Sequence, residues 1–324
     1  MSFLDRITNP LTLIVVLGLI AACSQPNDST GGAIATPMDS LVTAEWLSEH
    51  LNDSNLVVLD CTILVQPSED GDFSVVNGRA HYEEGHIPTA GFADLMGDLS
   101  DGDSPFQFAV PTPERFAAAI SALGVSDDSR VVLYDASGSA WAARVWWMLR
   151  WIGFDQAALL DGGLAAWTAH GQSLSKESVD RPAGSLTVDL RPELMVGKDE
   201  VLAAIGDDSV SIIDALSEAQ YRGEISMYER PGHIPGATNV PMMSLIDETG
   251  RYRPLDELDE LLVGDRDARS ITYCGGGIAA SANAFLMTRL GYKDVAVYTA
   301  SLQEWAADES LPMEVAPALE AISE

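Results

Sequence analysis

The residue types best suited to chemistry lie together in Ile271-Thr-Tyr-Cys-Gly-Gly-Gly-Ile-Ala-Ala-Ser281, where an apolar strand delivers Cys274 into a glycine-rich loop that opens a helix. A cysteine at a helix N-terminus sees unpaired backbone N–H groups and the positive end of the helix dipole, and both favour thiolate over thiol. Glycines let those N–H groups converge on one point without side chains in the way. The same pattern also suits a structural cysteine beside a turn, so the rest of the chain has to decide. The other cysteines, Cys23 and Cys61, share no ligand spacing with Cys274. Neither a metal site nor a disulfide framework is expected, and at least one thiol is free.

The elements that position this loop are short apolar runs alternating with amphipathic segments from Ser40 onward. Thr43-Ala-Glu-Trp-Leu-Ser-Glu-His-Leu51 opens with a Thr cap and has helical spacing, and Leu56-Val-Val-Leu-Asp60 is a compact apolar strand. Arg130–Tyr134 and Ala157–Leu160 are further strands, and Ala142–Ile152 is apolar almost all round, so that helix is expected to be buried. Strands separated by helices mean βαβ units, an α/β fold and mostly parallel sheets.

The second half repeats the first. Val58-Leu-Asp60 corresponds to Ile212-Ile-Asp214, and Gly85-His-Ile-Pro88 to Gly232-His-Ile-Pro235. Leu133-Tyr-Asp135 corresponds to Thr272-Tyr-Cys274, and Leu164-Ala-Ala-Trp167 to Leu302-Gln-Glu-Trp305. Four landmarks in one order indicate a duplication. At the position of Cys274 the first half carries Asp135, so only the second half is built for thiol chemistry. The expected organisation is a first domain at 40–175, a linker at 176–192 and a second, catalytic domain at 193–324. His86 and His233 sit in repeated turns and read as structural, as do Asp60 and Asp214 at equivalent strand ends. Trp146 and Trp147 read as core, Cys61 as a packed thiol, and Arg144 as pairing within the first half or across the interface.

Composition narrows the function classes. The chain has 49 acidic against 18 basic residues and a formal net charge of -31, which argues against nucleic-acid partners. At 47% hydrophobic and 21% charged it is globular, and 324 residues suffice for two domains. Residues 1–23 read as an export signal, with Arg6 before an apolar run and Ile20-Ala-Ala-Cys23 resembling a bacterial lipoprotein cleavage box. Cys23 would then be lipidated, residues 24–39 would form a flexible tether, and the protein would lie at the cell envelope, with the lipid its sole membrane contact.

These segments resemble the tandem-domain rhodanese sulfurtransferases, the family of thiosulfate and 3-mercaptopyruvate sulfurtransferases, from about Leu41 to Trp305. The specific matches are Arg144-Val-Trp-Trp-Met-Leu-Arg-Trp-Ile-Gly153, Leu160-Asp-Gly-Gly-Leu-Ala-Ala-Trp167, Gly232-His-Ile-Pro-Gly236 and Tyr273-Cys-Gly-Gly-Gly277. The resemblance implies two rhodanese-like domains, the first silent, and a catalytic loop from Cys274 to Ala279. It implies a sulfurtransferase in which Cys274 carries sulfane sulfur as a persulfide from a small anionic donor to a thiol or cyanide. Loop N–H groups of Gly275, Gly276, Gly277, Ile278 and Ala279 would hold the sulfur, no cofactor is called for, and the chain is expected to act as a monomer.

The departures are equally specific. Gly275 and Gly276 stand where thiosulfate enzymes of the family carry basic residues, and Gly276 where mercaptopyruvate enzymes place a Ser. The His and Asp of that serine's relay fall on Phe108 and Met96, and the loop's closing Thr is Ala279. A donor-gripping arginine of the family falls on Gln220, so Arg222 and Arg230 nearby are expected to clamp the donor. Two other classes share parts of this pattern. A phosphatase of related fold needs an arginine six residues after the cysteine, where this chain has Ala280. A non-catalytic persulfide-binding or redox-sensing module at the envelope is the remaining alternative.

Overall fold

The duplication is visible in the strand order of two parallel sheets. A computed structural model describes residues 38–67, 73–136, 138–262 and 264–315. The expected export signal, Cys23 and the tether up to residue 37 lie outside the described residues. In the first half, β1 (Leu41–Val42), α1 (Ala44–His50) and β2 (Leu56–Asp60) lead to an antiparallel hairpin, β3 (Ile63–Pro67) and β4 (Phe73–Asn77). Then come α2 (Arg79–Glu84), β5 (Gly91–Phe92), α3 (Pro113–Ala122), β6 (Arg130–Tyr134), α4 (Ala140–Trp151), β7 (Ala157–Leu160) and α5 (Gly163–Ala169). The second half runs β8 (Met195–Val196), α6 (Lys198–Ala204), β9 (Val210–Asp214), α7 (Glu218–Tyr221), β10 (Thr238–Asn239) and α8 (Leu255–Leu261). It closes with β11 (Arg269–Tyr273), α9 (Ile278–Arg289), β12 (Asp294–Tyr298) and α10 (Ser301–Trp305).

The first sheet is ordered β1-β7-β6-β2-β5 and the second β8-β12-β11-β9-β10, with every neighbour pair parallel. Each strand of the first sheet therefore has its counterpart in the second, and the β3–β4 hairpin is an addition of the first half. Central strands explain their composition: all five residues of β2 are buried, and helices cover both faces. Thr43 caps α1 as expected, its Oγ1 accepting the Trp46 N–H at 3.1 Å.

The repeat reaches single hydrogen bonds. Asp60 lies opposite Tyr134 in the register of the first sheet, and Asp214 opposite Tyr273 in the second. Each tyrosine hydroxyl accepts a backbone N–H from the His-Ile-Pro turn earlier in its half, from Ile87 and Ile234, at 3.1 Å in both halves. Within those turns the His86 and His233 rings stack on Tyr82 and Tyr221. Their Nδ1 atoms meet the carbonyls of those same tyrosines, and the two histidines hold their turns in place.

The halves join through α4 and α9. Trp146 and Phe285 meet edge to face at 4.8 Å, while the indole N–H groups of Trp146 and Trp147 donate to Ala157 O and Leu194 O. The tryptophan pair is core. Residues 176–191 carry no regular element but are tied to the first half, for example by Arg181 donating to Thr89 O and Thr187 bonding Asp127, and a short 3-10 turn, Pro192–Leu194, follows. Among the described residues no helix is long and apolar enough to cross a membrane.

Candidate active site

Strand β11 is buried over its last four residues and anchored at Thr272, whose Oγ1 donates to Ala280 O at 3.0 Å and Ala296 O at 3.3 Å. Those bonds fix where the chain leaves the sheet, one residue before Cys274. The thiol is free and only 3% exposed. Gly277 is the N-cap of helix α9, and its φ of 81° is left-handed, a conformation glycine adopts at no steric cost.

The loop carbonyls are held from behind. Cys274 O accepts the Leu302 N–H at 3.1 Å and Gly275 O the Gln303 N–H at 3.0 Å, both from the first turn of α10. Gly277 O accepts Ser281 Oγ at 2.6 Å, and the Cys274 N–H donates to Ser301 Oγ at 3.1 Å. The N–H groups that follow are different. Among the described residues, those of Gly275, Gly276, Gly277, Ile278 and Ala279 meet no protein acceptor. Such a run of unpaired N–H groups at a helix start is an anion-binding nest.

The first half shows what this geometry holds. There the Asp135 carboxylate occupies the corresponding loop and accepts the N–H groups of Ser139 and Ala142, each at 2.9 Å. The first half carries a built-in carboxylate at its helix start; the second half has Cys274 at that position in its place.

Three side chains from elsewhere fill the space above the three glycines. A β-carbon at Gly275 would lie 1.7 Å from Tyr228 Oη, and one at Gly276 would lie 3.0 Å from Gln303 Nε2. At Gly277 it would lie 3.0 Å from Arg144 Nη1 and 2.7 Å from Thr299 O. Close approach thus excludes a side chain at Gly275 and Gly277 unless something shifts, while at Gly276 the end of Gln303 would have only a little to give. Burial pushes the Tyr228 hydroxyl well up from its ordinary range, with the charge of Cys274 adding to it. Gln303 is latched to the first half, its Oε1 accepting the Gln107 N–H and its Nε2 donating to Gln107 O, both at 3.0 Å.

The expected donor clamps lie differently. Arg230 donates through Nε, Nη1 and Nη2 to the carbonyls of Ala306, Leu311, Trp305 and Asp308, at 2.7–2.8 Å. Four of its five N–H donors hold backbone, so it braces the segment after α10 rather than gripping a donor. Arg222 is ion-paired with Glu224 at 2.9 Å and is likewise engaged. Cys61 is fully buried, and burial first, then the charges of Asp60 and Asp135, push its thiol well up, which suits an inert packed cysteine.

Sequence reasoning missed Tyr228, Gln107 and Gln303. One signal existed for Gln303: it stands in Leu302-Gln-Glu-Trp305, where the silent half has Ala165, a difference between the halves like that between Cys274 and Asp135. Tyr228 lies in a segment with no landmark in the repeat. Arg144 was expected to pair within its half or across the interface; among the described residues it bonds within its half and has no ionic partner. Its Nη2 donates to Phe108 O at 3.0 Å while Nη1 lies against Gly277. Burial brings its guanidinium down to about 10, with the charge of Cys274 pulling the other way.

Comparison with known proteins agrees with this fold. A family model described as rhodanese-like domain matches residues 43–170 and again 197–308. The 3-mercaptopyruvate sulfurtransferase of Escherichia coli strain K12 is 36% identical over 279 residues, spanning 84% of this chain and 97% of that protein. The thiosulfate sulfurtransferase of Gallus gallus is 30% identical over 276 residues, 82% of this chain and 93% of its own. Among solved structures, Escherichia coli SseA, described as a 3-mercaptopyruvate sulfotransferase, superposes with a TM-score of 0.72 at 34% identity, over 82% of this chain and 99% of its own.

Proposed function

The chain belongs to the rhodanese-like family and is a rhodanese-type sulfurtransferase, and from that premise we propose that Cys274 carries the transferred sulfur as a persulfide. The observation that carries this reading is the run of five N–H groups from Gly275 to Ala279 that meet no protein acceptor among the described residues. Such a run supports an anionic sulfur at Cys274, because N–H groups already in place need no reorganisation as charge moves along the S–S bond.

The reaction runs in two displacements. The Cys274 thiolate attacks the outer sulfur of thiosulfate; its S–S bond breaks with the electron pair leaving on sulfite, and a Cys274 persulfide forms. With a mercaptopyruvate-like donor the same attack breaks the carbon–sulfur bond, and the enolate that leaves takes a proton to give the keto acid. An acceptor, cyanide or a thiol, then attacks the terminal sulfur. The Cys274 S–S bond breaks, and the thiolate returns as thiocyanate or a new persulfide departs. No other residue changes its covalent bonding.

Export and lipidation belong to the same proposal. An acyl anchor on Cys23 would hold the enzyme at the cell envelope, and membrane fractionation of wild type against Cys23→Ala tests it: a Cys23→Ala protein still in the membrane fraction counts against the anchor.

The central experiment is intact mass after incubation with thiosulfate or 3-mercaptopyruvate at equal concentration. One added sulfur on the wild type and none on Cys274→Ser, with both folded, is the expected result, and the faster donor is the substrate. A free Cys274 that takes up sulfur from neither overturns the reading.

A further inference from the structure

Arg144 is the least explained charged residue of the fold. It sits in the second turn of α4, in the silent half, and is 0% exposed. Among the described residues its one hydrogen bond goes to Phe108 O, and both Nε and Nη1 are buried without a partner. Among the described residues no carboxylate forms an ion pair with it. A buried cation without a counter-ion is costly, and the fold keeps one where a neutral side chain would pack at lower cost. What it faces gives the reason. Nη1 lies against Gly277, at the start of the helix that receives the sulfur, and Cys274 is the ionisable group whose charge reaches it. The catalytic loop itself, Cys274 to Ala279, contains no charged side chain.

We propose that Arg144 is a positioning residue for sulfur transfer: the silent half delivers its guanidinium to the loop of the other half, where it supplies the positive charge that holds the Cys274 anion. The site is then built from both halves. The loop N–H groups receive the sulfur directly, and Arg144 acts behind Gly277, through a low-dielectric interior in which one charge acts strongly over several ångströms. Phe108 O, on a residue with a φ of 55°, accepts from Nη2 and aims the guanidinium. This also gives the silent half a task in the chemistry beyond shaping a cleft. The inference deepens the persulfide reading and rests on it.

The test compares wild type, Arg144→Gln and Arg144→Lys in the full chain, each first shown to be folded by circular dichroism and melting temperature. Gln keeps an N–H for Phe108 O and removes the charge; Lys keeps the charge and alters the shape. The readout is the rate at which iodoacetamide alkylates Cys274 at neutral pH. Arg144→Gln is expected to slow it about tenfold and Arg144→Lys to recover most of the loss. A structural role predicts the reverse order, and that order, or a folded Arg144→Gln alkylated at the wild-type rate, overturns the proposal. Should Arg144→Gln not fold, the lysine variant decides: a rate within about threefold of wild type supports the charge, and a loss beyond about tenfold refutes it. Sulfur uptake by intact mass separates the two readings. A wild type that takes up no sulfur while alkylation still follows the charge removes the persulfide and leaves Arg144 in place; sulfur uptake with charge-independent alkylation removes Arg144 alone.

Discussion

Gln303 of the second half and Gln107 of the first are joined by two reciprocal 3.0 Å hydrogen bonds, side-chain amide to backbone, over Gly276. The pair ties the first-half segment from Gln107 to Phe108 to the catalytic loop and leaves Cys274 nearly enclosed. Replacing Gln303 by Ala removes both bonds, at a cost of about 2 kcal/mol, and opens that side of the loop. Alkylation of Cys274 by a bulky maleimide should speed up severalfold relative to iodoacetamide; an unchanged ratio would show that the latch does not control access.

Gly275 admits no side chain while Tyr228 keeps its place. Gly275→Ala should lower activity by about a hundredfold, because the methyl and the Tyr228 hydroxyl would lie 1.7 Å apart and one of them must move the loop. Tyr228→Phe in the same protein removes the clashing oxygen and should return part of the activity. Steady-state rates of the single and double variants check this, and a double variant no better than Gly275→Ala would refute it.

The Asp214 carboxyl, held up to about 6 chiefly by burial against the pull of Leu216, Tyr273 and His233, ties stability to pH. Its folded value lies above the ordinary 3.8, so folding takes up a proton between those values. The contribution is complete below about pH 4 and is lost as the pH rises through 6, to a total of about 3 kcal/mol. Asp214→Asn is neutral throughout. Urea unfolding of both proteins should show the variant gaining on wild type between pH 4 and 7; a constant difference would mean that Asp214 titrates normally.

Arg230 separates stability from substrate binding. Arg230→Met loses four hydrogen bonds to carbonyls and should destabilise the protein by about 3 kcal/mol. KM for the donor in the folded fraction should stay at the wild-type value. A raised KM without a change in melting temperature would restore Arg230 as a donor clamp.

The apolar runs at Leu56–Asp60, Arg130–Tyr134 and Ala157–Leu160 are strands with those bounds because buried parallel strands leave an uninterrupted hydrophobic signal. Helix α4 was equally legible, since a segment apolar on every face has no place except between layers. The donor clamps were not. Arg222 and Arg230 were selected for charge and proximity along the chain, and neither property says whether a guanidinium will meet an anion or its own backbone.

The duplication, the contrast between Cys274 and Asp135, and the glycine-rich helix start are all local patterns, readable because each is written in consecutive residues. What stands above the glycines is not local. Tyr228, Gln303 and Arg144 come from three separate elements and meet Gly275, Gly276 and Gly277 only once the sheets are formed and α4 has packed on α9. A chain can record that a loop is bare in a few neighbouring letters. Which distant side chains fill that bareness follows from packing in three dimensions, and here packing brings the buried guanidinium of Arg144 from the first half to the start of α9 in the second.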